Sequence, residues 1–592
     1  MSSYWIASNK SPVEQRSVSI PATNGTDYIA GQEIRISIDP SLKYFNPSQS
    51  YLEWDAKVVP PTYSASGTDN LPCPTKLQLD AEIGSQVLCR SVRIHSMDGT
   101  LLEEIDNYNT KVAMEYDYHT NDSLRGKRAL TEGTGFYNSD YRGTKGSTKS
   151  YANNVDDNTY FKVQQGDPIN ASWTAANFVN AKCCLPLHTG ILGNDAVFPN
   201  HLLGGITITI LLEDSNRVFR QVDSAMRFRR LTLNPMFNEA NVLTGGNTPS
   251  ASVKTNGSFI AINLQEHNSQ HTLPQKCPFV IGEKIGFQRW IGGNASVVAF
   301  TGNKPVIRNI DMDGSRIRLE FNASVTVNGK GMDNAAQNIF LFSDSVADAT
   351  SYDPTYQISN VNFICQEVIP TPEDERKMMS MLKEGGTLNY DFLSSTTYKY
   401  SQLASDRVAN IRLPINNSRA KSIICVPTDG SVYNSKENIN ASLTYKVNQN
   451  ENLNASNFYL RSNRSGLVGI SDHVSDYQWL YGEPARLQPN RRVSLSKVSS
   501  DKSIDAQHLL ELDKALSQAG ISAHSFQAFN QNFCIGRALA LGDAVYSGRN
   551  KDFSLQVNYN ETTAPTKNKL WCCFCYHIRR IQIQNGNIDV IV

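Results

Sequence analysis

Hydrophobic and polar residues alternate with a period of two along most of this chain. In "YLEWDAKV" (residues 51–58), Leu52 and Trp54 fall on one face and Glu53 on the other. This spacing is typical of a half-buried β-strand, whose successive side chains point to opposite faces. The same alternation recurs at 34–38, 206–212, 317–327 and 553–559. Turn signals such as "MDG" (97–99) and "NG" (585–586) separate these runs, so the pattern predicts a mostly antiparallel β-protein.

Three segments instead show the spacing of helices, at 101–116, 371–384 and 505–519. The second has the clearest boundaries, because Thr371 can serve as N-cap, Pro372 suits the first helical position, and two glycines follow at 385–386. It lies between two β-rich regions and lacks a long apolar stripe. We therefore predict that it links two domains.

Length and charge narrow the class of protein. A chain of 592 residues is expected to form two to four domains. It carries 56 basic and 56 acidic residues, which argues against a protein whose main work is to neutralise phosphates, although 227–230 could form a local basic patch. We find neither a secretory signal nor an apolar run long enough to span a membrane. The odd count of 11 cysteines favours free thiols in a reducing compartment.

The cysteine-rich segment "WCCFCYHI" (571–578) is the most conspicuous candidate for metal or redox chemistry. A tetrahedral zinc site needs ligands that converge, usually from a turn. Read as a strand, the segment places Cys573, Cys575 and His577 on one face and Cys572 on the other, with no turn residue between them. Cysteine in such a position packs as a small hydrophobic residue. We therefore interpret the segment as a core strand, and Cys183–Cys184 in the same way.

No other candidate chemistry is convincing, and we assign no catalytic, cofactor-binding or metal-binding residue. Phosphate-binding, dinucleotide-binding, zinc-protease and nucleophile-elbow motifs are absent from the sequence. His267 and His271 lie in a polar stretch that favours a loop, and the motif at 311–314 lacks the further acids of a calcium loop, which favours a hairpin turn. The acidic pairs at 103–104 and 156–157 are interpreted as exposed. The chain is therefore predicted to be no enzyme and to need no cofactor.

A set of segments in a fixed order resembles the double jelly-roll major capsid proteins, most closely those of virophages and polinton-like viruses. More distantly, it resembles those of large nucleocytoplasmic DNA viruses. The resemblance covers most of 28–592 and is weakest over 238–350. It rests on "YFNPSQSYLEWDAKV" (44–58), "SVRIHSMDGTLLEEIDNYN" (91–109), "DSLRGKRALTEG" (122–133), "CCLPLHTGILG" (183–193), "FPNHLLGGITITILLED" (198–214), "YQISNVNFICQEVIPTPEDER" (356–376), "NIRLPINNSRAKSIICVP" (410–427), "YQWLYGEPARLQPNRRV" (477–493), and the C-terminal "SGRNKDFSLQVNY" (547–559) and "HIRRIQIQNG" (577–586).

The resemblance implies an all-β fold with two vertical jelly-roll sandwiches side by side, a few short helices and a β-rich insertion in the first sandwich. The expected division is an N-terminal arm at 1–27, a first jelly roll at 28–370 with the insertion at about 238–350, a linker helix at 371–386 and a second jelly roll at 387–592. The insertion separates 206–212, which resembles strand H, from 356–368, which resembles strand I.

The resemblance also implies a function. The chain would be a major capsid protein that trimerises into pseudo-hexameric capsomers and tiles an icosahedral shell around double-stranded DNA. Its partners would be itself, neighbouring capsomers, and minor capsid and penton proteins, without specific nucleic-acid recognition. It would reside in the virion, after assembly in the host cytoplasm or a virus factory. The alternatives are a jelly-roll protein that binds or acts on carbohydrate, and another virion component such as a vertex or fibre protein.

Overall fold

The computed structural model describes most of the two β-rich regions and part of the chain between them. The described residues are 14–59, 76–78, 83–119, 121, 124, 127–128, 131–132, 181–218, 220–222, 252–253, 259–263, 285–291, 294–297, 299–301, 307–313, 316–321, 325–328, 338–343, 355–430, 467–481, 486–495, 506–524, 532–539, 553–559, 565, 568–584 and 586–592.

In the described residues, the first half of the chain supplies the following elements up to the end of helix α2. In chain order they are β1 (Glu14–Pro21), β2 (Asp27–Ile29), β3 (Glu33–Ile38), β4 (Phe45–Val59), β5 (Lys76–Gln78), β6 (Cys89–Ser96), β7 (Leu101–Asp106), helix α1 (Tyr108–His119), β8 (Ala181–Leu185), β9 (Ile206–Leu212) and helix α2 (Ser215–Val218).

These strands form the two sheets of a jelly roll. One sheet has the order β1-β20-β4-β8, with β2 also paired to β20 (Thr355–Ile369), and the other has the order β3-β9-β6-β7. If the eight strands are named B to I in chain order, with β1 and β2 together as strand B, the sheets read B-I-D-G and C-H-E-F. That is the strand order of two interleaved Greek keys, and every pair is antiparallel.

The predicted alternation sets the core of this sandwich. Along β3, Ile34, Ile36 and Ile38 are fully buried, and they lie opposite the equally buried isoleucines of β9. In β4, Leu52 and Trp54 face the same interior, and the indole of Trp54 donates to Ser85 Oγ at 2.9 Å. Burying such apolar area is the main term that favours folding.

The stretch between strands H and I contains further strands, in agreement with the predicted β-rich character of the insertion. They are β10 (Arg220–Val222), β11 (Ser252–Val253), β12 (Phe259–Asn263), β13 (Ile285–Ile291), β14 (Asn294–Val297), β15 (Ala299–Thr301), β16 (Ile307–Asp313), β17 (Arg316–Phe321), β18 (Val325–Asn328) and β19 (Asn338–Ser343). Nine of them, β11 to β19, form three three-stranded sheets, whereas β10 pairs with β5. The pairing of Asp313 with Arg316 makes β16 and β17 a hairpin, which is what the motif at 311–314 predicts.

Helix α3 (Pro372–Lys383) follows strand β20 and leads into the second sandwich. Its start is as predicted, because Thr371 Oγ1 accepts the N–H of Asp374 and three acidic residues occupy the first turn. Met378 is the buried residue of this helix and lies against Tyr44, while Lys43 and Glu375 form an ion pair at 2.5 Å. The helix is thereby attached to the first sandwich.

The second sandwich repeats the topology of the first. Its elements are β21 (Leu388–Gln402), β22 (Val408–Leu413), β23 (Ala420–Asp429), β24 (Val474–Tyr481), β25 (Arg486–Ser494), helix α4 (Ala506–Gln518), β26 (Ile535–Ala538), β27 (Phe553–Tyr559), β28 (Lys569–Gln584) and β29 (Asn587–Ile591). The sheets have the orders β21-β28-β23-β26 and β22-β27-β24-β25, which again read B-I-D-G and C-H-E-F. The chain is therefore a double jelly roll, as predicted.

Two expectations are corrected by the structure. The segment 101–116 is not one helix: β7 ends at Asp106, Asn107 has a φ of 51°, and α1 begins at Tyr108. The left-handed backbone of Asn107 turns the chain between the strand and the helix. The predicted arm is also shorter than 1–27, because Glu14–Pro21 pairs with β20 and forms part of strand B of the first sandwich. Residues 1–13 lie outside the described part of the chain.

Candidate functional site

The two sandwiches meet along a buried junction, and helix α1 is its centre. Tyr108, Val112 and Tyr116 of this helix pack into the core of the first sandwich. Met114 and Tyr118, on another side of the helix, pack against Phe574 of strand β28 and residues of helix α4. A helix that is apolar on several sides must be covered on all of them. Helix α1 therefore belongs to both sandwiches at once.

Strand β21 extends the junction with aromatic contacts. The rings of Phe198 and Tyr390 meet edge to face with their centroids 5.2 Å apart. The hydroxyl of Tyr390 donates to the carbonyl of Ala196 at 3.2 Å, and Asn194 donates its side-chain amide to the carbonyl of Asp391 at 3.0 Å. Aromatic pairs of this kind add to the stability that burial alone provides.

Glu103 is a buried carboxylate that binds groups from both sandwiches. It accepts the backbone N–H groups of Gly190 at 2.7 Å and Ile191 at 2.9 Å, and the hydroxyl of Ser394 in β21 at 2.6 Å. The expectation that 103–104 is an exposed acidic pair is therefore wrong for Glu103, which has no exposed area. It holds for Glu104, which is partly exposed and pairs with Arg93 at 2.7 Å.

A β-bulge explains the burial of Glu103. Strand β7 pairs with β6 so that Glu103 lies opposite Ile94, but the register then shifts between Ile94 and His95. Leu102 is the extra residue, and it is buried beside Glu103. The sequence does hold a signal, because Glu103 and Ile105 share a face once the segment is read as a strand. The helical interpretation of 101–116 concealed it.

Polar groups in the last turn of α1 form a second set of links. Asn532 donates its side-chain amide to Asp117 at 2.7 Å, and its carbonyl accepts the hydroxyl of Tyr118 at 2.8 Å. The backbone N–H of His524 donates to the carbonyl of Tyr118 at 2.8 Å. Asn532 is completely buried, so these bonds replace water for groups that would otherwise be unsatisfied.

A charged network crosses the junction from the middle of α1. Lys111 pairs with Glu115 at 2.6 Å, and Glu115 accepts the hydroxyl of Tyr576 in β28 at 3.0 Å. His188 Nδ1 lies 3.7 Å from Glu115, and its Nε2 lies 2.7 Å from the hydroxyl of Tyr116. Burial lowers the pKa of His188 to about 4. The histidine is thus neutral at physiological pH.

The hydroxyl of Tyr116 extends this network into the first sandwich. It donates to Glu132 at 2.6 Å, and Gln86 donates to the same carboxyl at 3.4 Å. Burial raises the pKa of Glu132 to about 6, although these hydrogen bonds and Arg128 oppose the rise. Several hydrogen-bonded groups in a low-dielectric interior support one another, so the network adds rigidity to the junction.

Strand β28 contains the cysteine-rich segment and confirms its interpretation as a core strand. Cys573 and Cys575 face the interior of the second sandwich, while Cys572 and Phe574 face α1 and α4. Asn107 donates its side-chain amide to Cys572 Sγ at 2.9 Å. Burial raises the pKa of Cys572 and of Cys575 to about 12, so these thiols are protonated at neutral pH.

The other sequence candidates give a mixed result. Cys183 is a buried strand residue of β8, and Cys184 is half-buried on the other face. In the described part of the chain, no three histidine, cysteine or acidic side chains are grouped as a metal site would need. His267, His271 and the stretches 156–157 and 227–230 lie outside the described residues. The role that these contacts give the junction is structural: they hold the two sandwiches in one fixed orientation.

Acid should weaken the second sandwich through His577. Its side chain is fully buried, its Nε2 lies 2.9 Å from Thr396 Oγ1, and burial lowers its pKa to about 4. The unfolded chain binds a proton near pH 6.5, so the contribution of the neutral ring is complete above that pH and is lost as the pH falls towards 4. We expect a loss of about 2 kcal/mol at pH 5 from this residue. His188 should act in the same direction, and Glu132 in the opposite one.

This pH dependence can be measured by denaturant unfolding at pH 7 and pH 5. His577→Gln, which carries no titrating group, should lose less stability over this interval than the wild type. His524→Gln, at an exposed position, is the matched control and should behave as the wild type does. An equal pH dependence in the wild type and His577→Gln would contradict the prediction.

Comparison with known proteins gives structural neighbours only. No family model matches the sequence, and no curated protein matches it. Among solved structures, the chain is similar to the Faustovirus major capsid protein, with a TM-score of 0.45, 8% identity, and coverage of 97% of this chain and 91% of that one. It is similar to a structure of the Sputnik virophage, with a TM-score of 0.40, 10% identity and coverage of 98% and 89%.

The mavirus major capsid protein is a further neighbour, with a TM-score of 0.27, 8% identity, and coverage of 99% of this chain and 93% of that one. Because these scores and identities are low, the assignment as a double jelly roll rests on the strand order of the two sandwiches. As to membranes, no helix in the described residues has the length and apolar character needed to cross one.

Proposed function

We propose that this chain is a major capsid protein, which forms homotrimers that tile an icosahedral shell around a double-stranded DNA genome. The observation that carries the proposal is the pair of complete jelly rolls joined by the buried junction at α1, β21 and β28. Three such chains supply six similar sandwiches, so a trimer acquires a nearly hexagonal outline. Hexagonal units of this kind can tile a shell. In a closed symmetric trimer, the same contact surfaces are buried on every copy.

The rigid junction supports a structural role. A shell subunit must present the same surfaces in every copy, so the angle between its sandwiches has to be fixed. That angle is fixed by three sets of contacts between the sandwiches. They are the hydrogen bond of Glu103 with Ser394, the packing of helix α1, and the hydrogen bonds of Asn532. The sequence resemblance supports the same conclusion, and we propose no enzymatic activity.

The remaining parts of the proposal concern location and partners. The chain would reside in the virion after assembly in the host cytoplasm or a virus factory. It would contact neighbouring capsomers and minor capsid and penton proteins. We divide it into an N-terminal segment, a first jelly roll to residue 370 with an insertion at about 238–350, a linker at 371–386 and a second jelly roll from 387.

The trimer is the first expected result. Purified at micromolar concentration in moderate salt, the protein should have the mass of three chains by light scattering and a hexagonal outline in negative-stain images. The reason is that three chains contribute six sandwiches, which can close into a ring in which each chain contacts both of its neighbours. A monodisperse monomer under these conditions would count against the proposal. A pentamer or an elongated trimer would favour a vertex or fibre protein.

The insertion is expected to lie on the outer surface of the particle. It joins strands H and I, and in a jelly roll the H–I connection emerges at the same end as the B–C, D–E and F–G connections. Mass added at the outer end does not disturb contacts between capsomers. Brief protease treatment of assembled particles should therefore cut within 238–350, for instance at Gly245–Gly246, and leave the shell intact. Cleavage in free trimers but full protection in particles would place the insertion elsewhere.

A further inference from the structure

Two buried cysteines of the second sandwich face each other across neighbouring strands. Cys425 of β23 is the register partner of Cys573 of β28. Both side chains are fully buried, and both belong to the interior core of this sandwich. They therefore project from the same face of the sheet, as directly opposed residues of an antiparallel pair do.

Backbone hydrogen bonds show which kind of pair this is. Gly430 donates its N–H to the carbonyl of Asn568 at 2.8 Å, so these two residues form a hydrogen-bonded pair. Hydrogen-bonded and non-hydrogen-bonded pairs alternate along antiparallel strands. Cys425 and Cys573 lie an odd number of steps from Gly430 and Asn568, and therefore form a non-hydrogen-bonded pair. Pro427, which has no N–H to donate, lies in the same set, as its chemistry requires.

This position suits a covalent bond between the two sulfurs. In a non-hydrogen-bonded pair the Cα atoms are about 4.5 Å apart and the side chains approach most closely. Disulfides span Cα separations from about 4.4 to 6.8 Å. The two thiols are also close neighbours, and Cys573 adds to the effect of burial in raising the pKa of Cys425.

The other cysteines of this region are less suitable partners. Cys575 lies on the same face but two residues further along β28, at a diagonal distance of about 7 Å, which is beyond easy reach of a disulfide. Cys572 and Cys534 belong to the cluster on the opposite face of the sheet. On its other side, Cys573 lies opposite Tyr398 of β21.

We infer that Cys425 and Cys573 are a site of disulfide formation that links strands D and I of the second sandwich. The oxidant is a small disulfide such as oxidised glutathione. One thiolate attacks it, which gives a mixed disulfide and one glutathione thiol, and the second cysteine then displaces the other glutathione. One S–S bond forms, one is broken, both cysteine protons are released to solvent or to the leaving thiolates, and two electrons reduce the oxidant.

The timing of the reaction follows from burial. The folded core stabilises the protonated thiol of Cys425, and small oxidants reach buried thiols slowly. The bond should form when the sheet assembles or opens in an oxidising medium, and the chain should remain reduced in a reducing one. A link between residues so far apart in sequence restricts the unfolded chain and therefore stabilises the fold. This inference holds whether or not the chain builds a capsid.

The test maps disulfides in the full-length wild-type protein. Reduced protein is incubated with oxidised glutathione at room temperature and a few degrees below its unfolding midpoint. Free thiols are then alkylated in denaturant, and the peptides are identified by mass spectrometry. We expect a linked peptide pair containing Cys425 and Cys573, which forms faster at the higher temperature. Its formation should raise the unfolding midpoint by roughly 5 °C, reversed by reductant.

Variants and an internal control make the result decisive. Half-buried Cys184 reports that the oxidant is active, because it should become glutathionylated. Cys575→Ala should leave the 425–573 link intact, whereas Cys425→Ala should abolish it together with the rise in midpoint. Modified Cys184 with Cys425 and Cys573 both recovered as free thiols at the higher temperature would overturn the inference. A link from Cys425 to another cysteine would also overturn it.

Discussion

We expect the Gly190→Ala protein to unfold at a markedly lower temperature than the wild type, because the junction has no space for one methyl group. A Cβ at this position would overlap the carbonyl oxygen of Leu393, and it would lie 2.7 Å from Cδ2 of Phe392 and 2.8 Å from Oε1 of Glu103. The carbonyl belongs to the backbone of β21, so rotation of a side chain cannot relieve the contact. The second sandwich would have to move away from the first.

The expected destabilisation is about 3 kcal/mol or more, at the upper end for overpacking of a core. Thermal unfolding measures the loss, and hydrogen exchange of helix α1 should report a looser junction before global unfolding. Gly25→Ala is the matched control, because its new Cβ would make only ordinary contacts, at 3.5 Å, with the ring of Tyr28. Equal unfolding midpoints for Gly190→Ala and the wild type would show that the junction is not close-packed at this point.

Most of the strand content could be predicted from the sequence because alternation is a local signal. The runs at 34–38, 206–212 and 553–559 all lie in strands, and their alternate residues are buried as predicted. Helices α3 and α4 lie within one or two residues of the predicted boundaries, since capping and terminating residues are also local. Strand order is not local, and only the resemblance to double jelly-roll proteins predicted it.

The junction could not be predicted in the same way. Its links join residues that are distant in sequence, such as Asn107 with Cys572 and Asp117 with Asn532. Each of these residues is ordinary in its own segment. The error at 101–116 has a related cause, because Ile105, Tyr108 and Val112 have helical spacing while belonging to two different elements. Asn107, which separates the two elements, has a positive φ. Asparagine tolerates this conformation but does not require it, so the sequence alone does not reveal the break.

Removal of the negative charge of Glu103 should have the second large effect. Glu103→Gln keeps the volume of the side chain but replaces one acceptor oxygen by a donor group. Gly190, Ile191 and Ser394 together offer three donors to the carboxylate, so at least one N–H or O–H is left without a partner in a dry interior. The charge of Glu103 also stabilises the charged guanidinium of nearby Arg579, whose pKa is lowered by burial.

Leaving such a group unsatisfied costs about 1–3 kcal/mol, and hydrogen bonds to charged groups lie towards the upper end of this range. We therefore expect Glu103→Gln to lower the free energy of unfolding by about 3 kcal/mol, as measured by denaturant titration. Glu104→Gln is the adjacent control: its carboxyl is partly exposed and pairs with the partly exposed Arg93, so the change should be under about 0.5 kcal/mol. Because Ser394 belongs to the second sandwich, a double-mutant cycle of Glu103→Gln with Ser394→Ala should give a coupling energy that a surface pair lacks. Additive effects in that cycle would mean that Glu103 stabilises only the first sandwich and does not hold the two together.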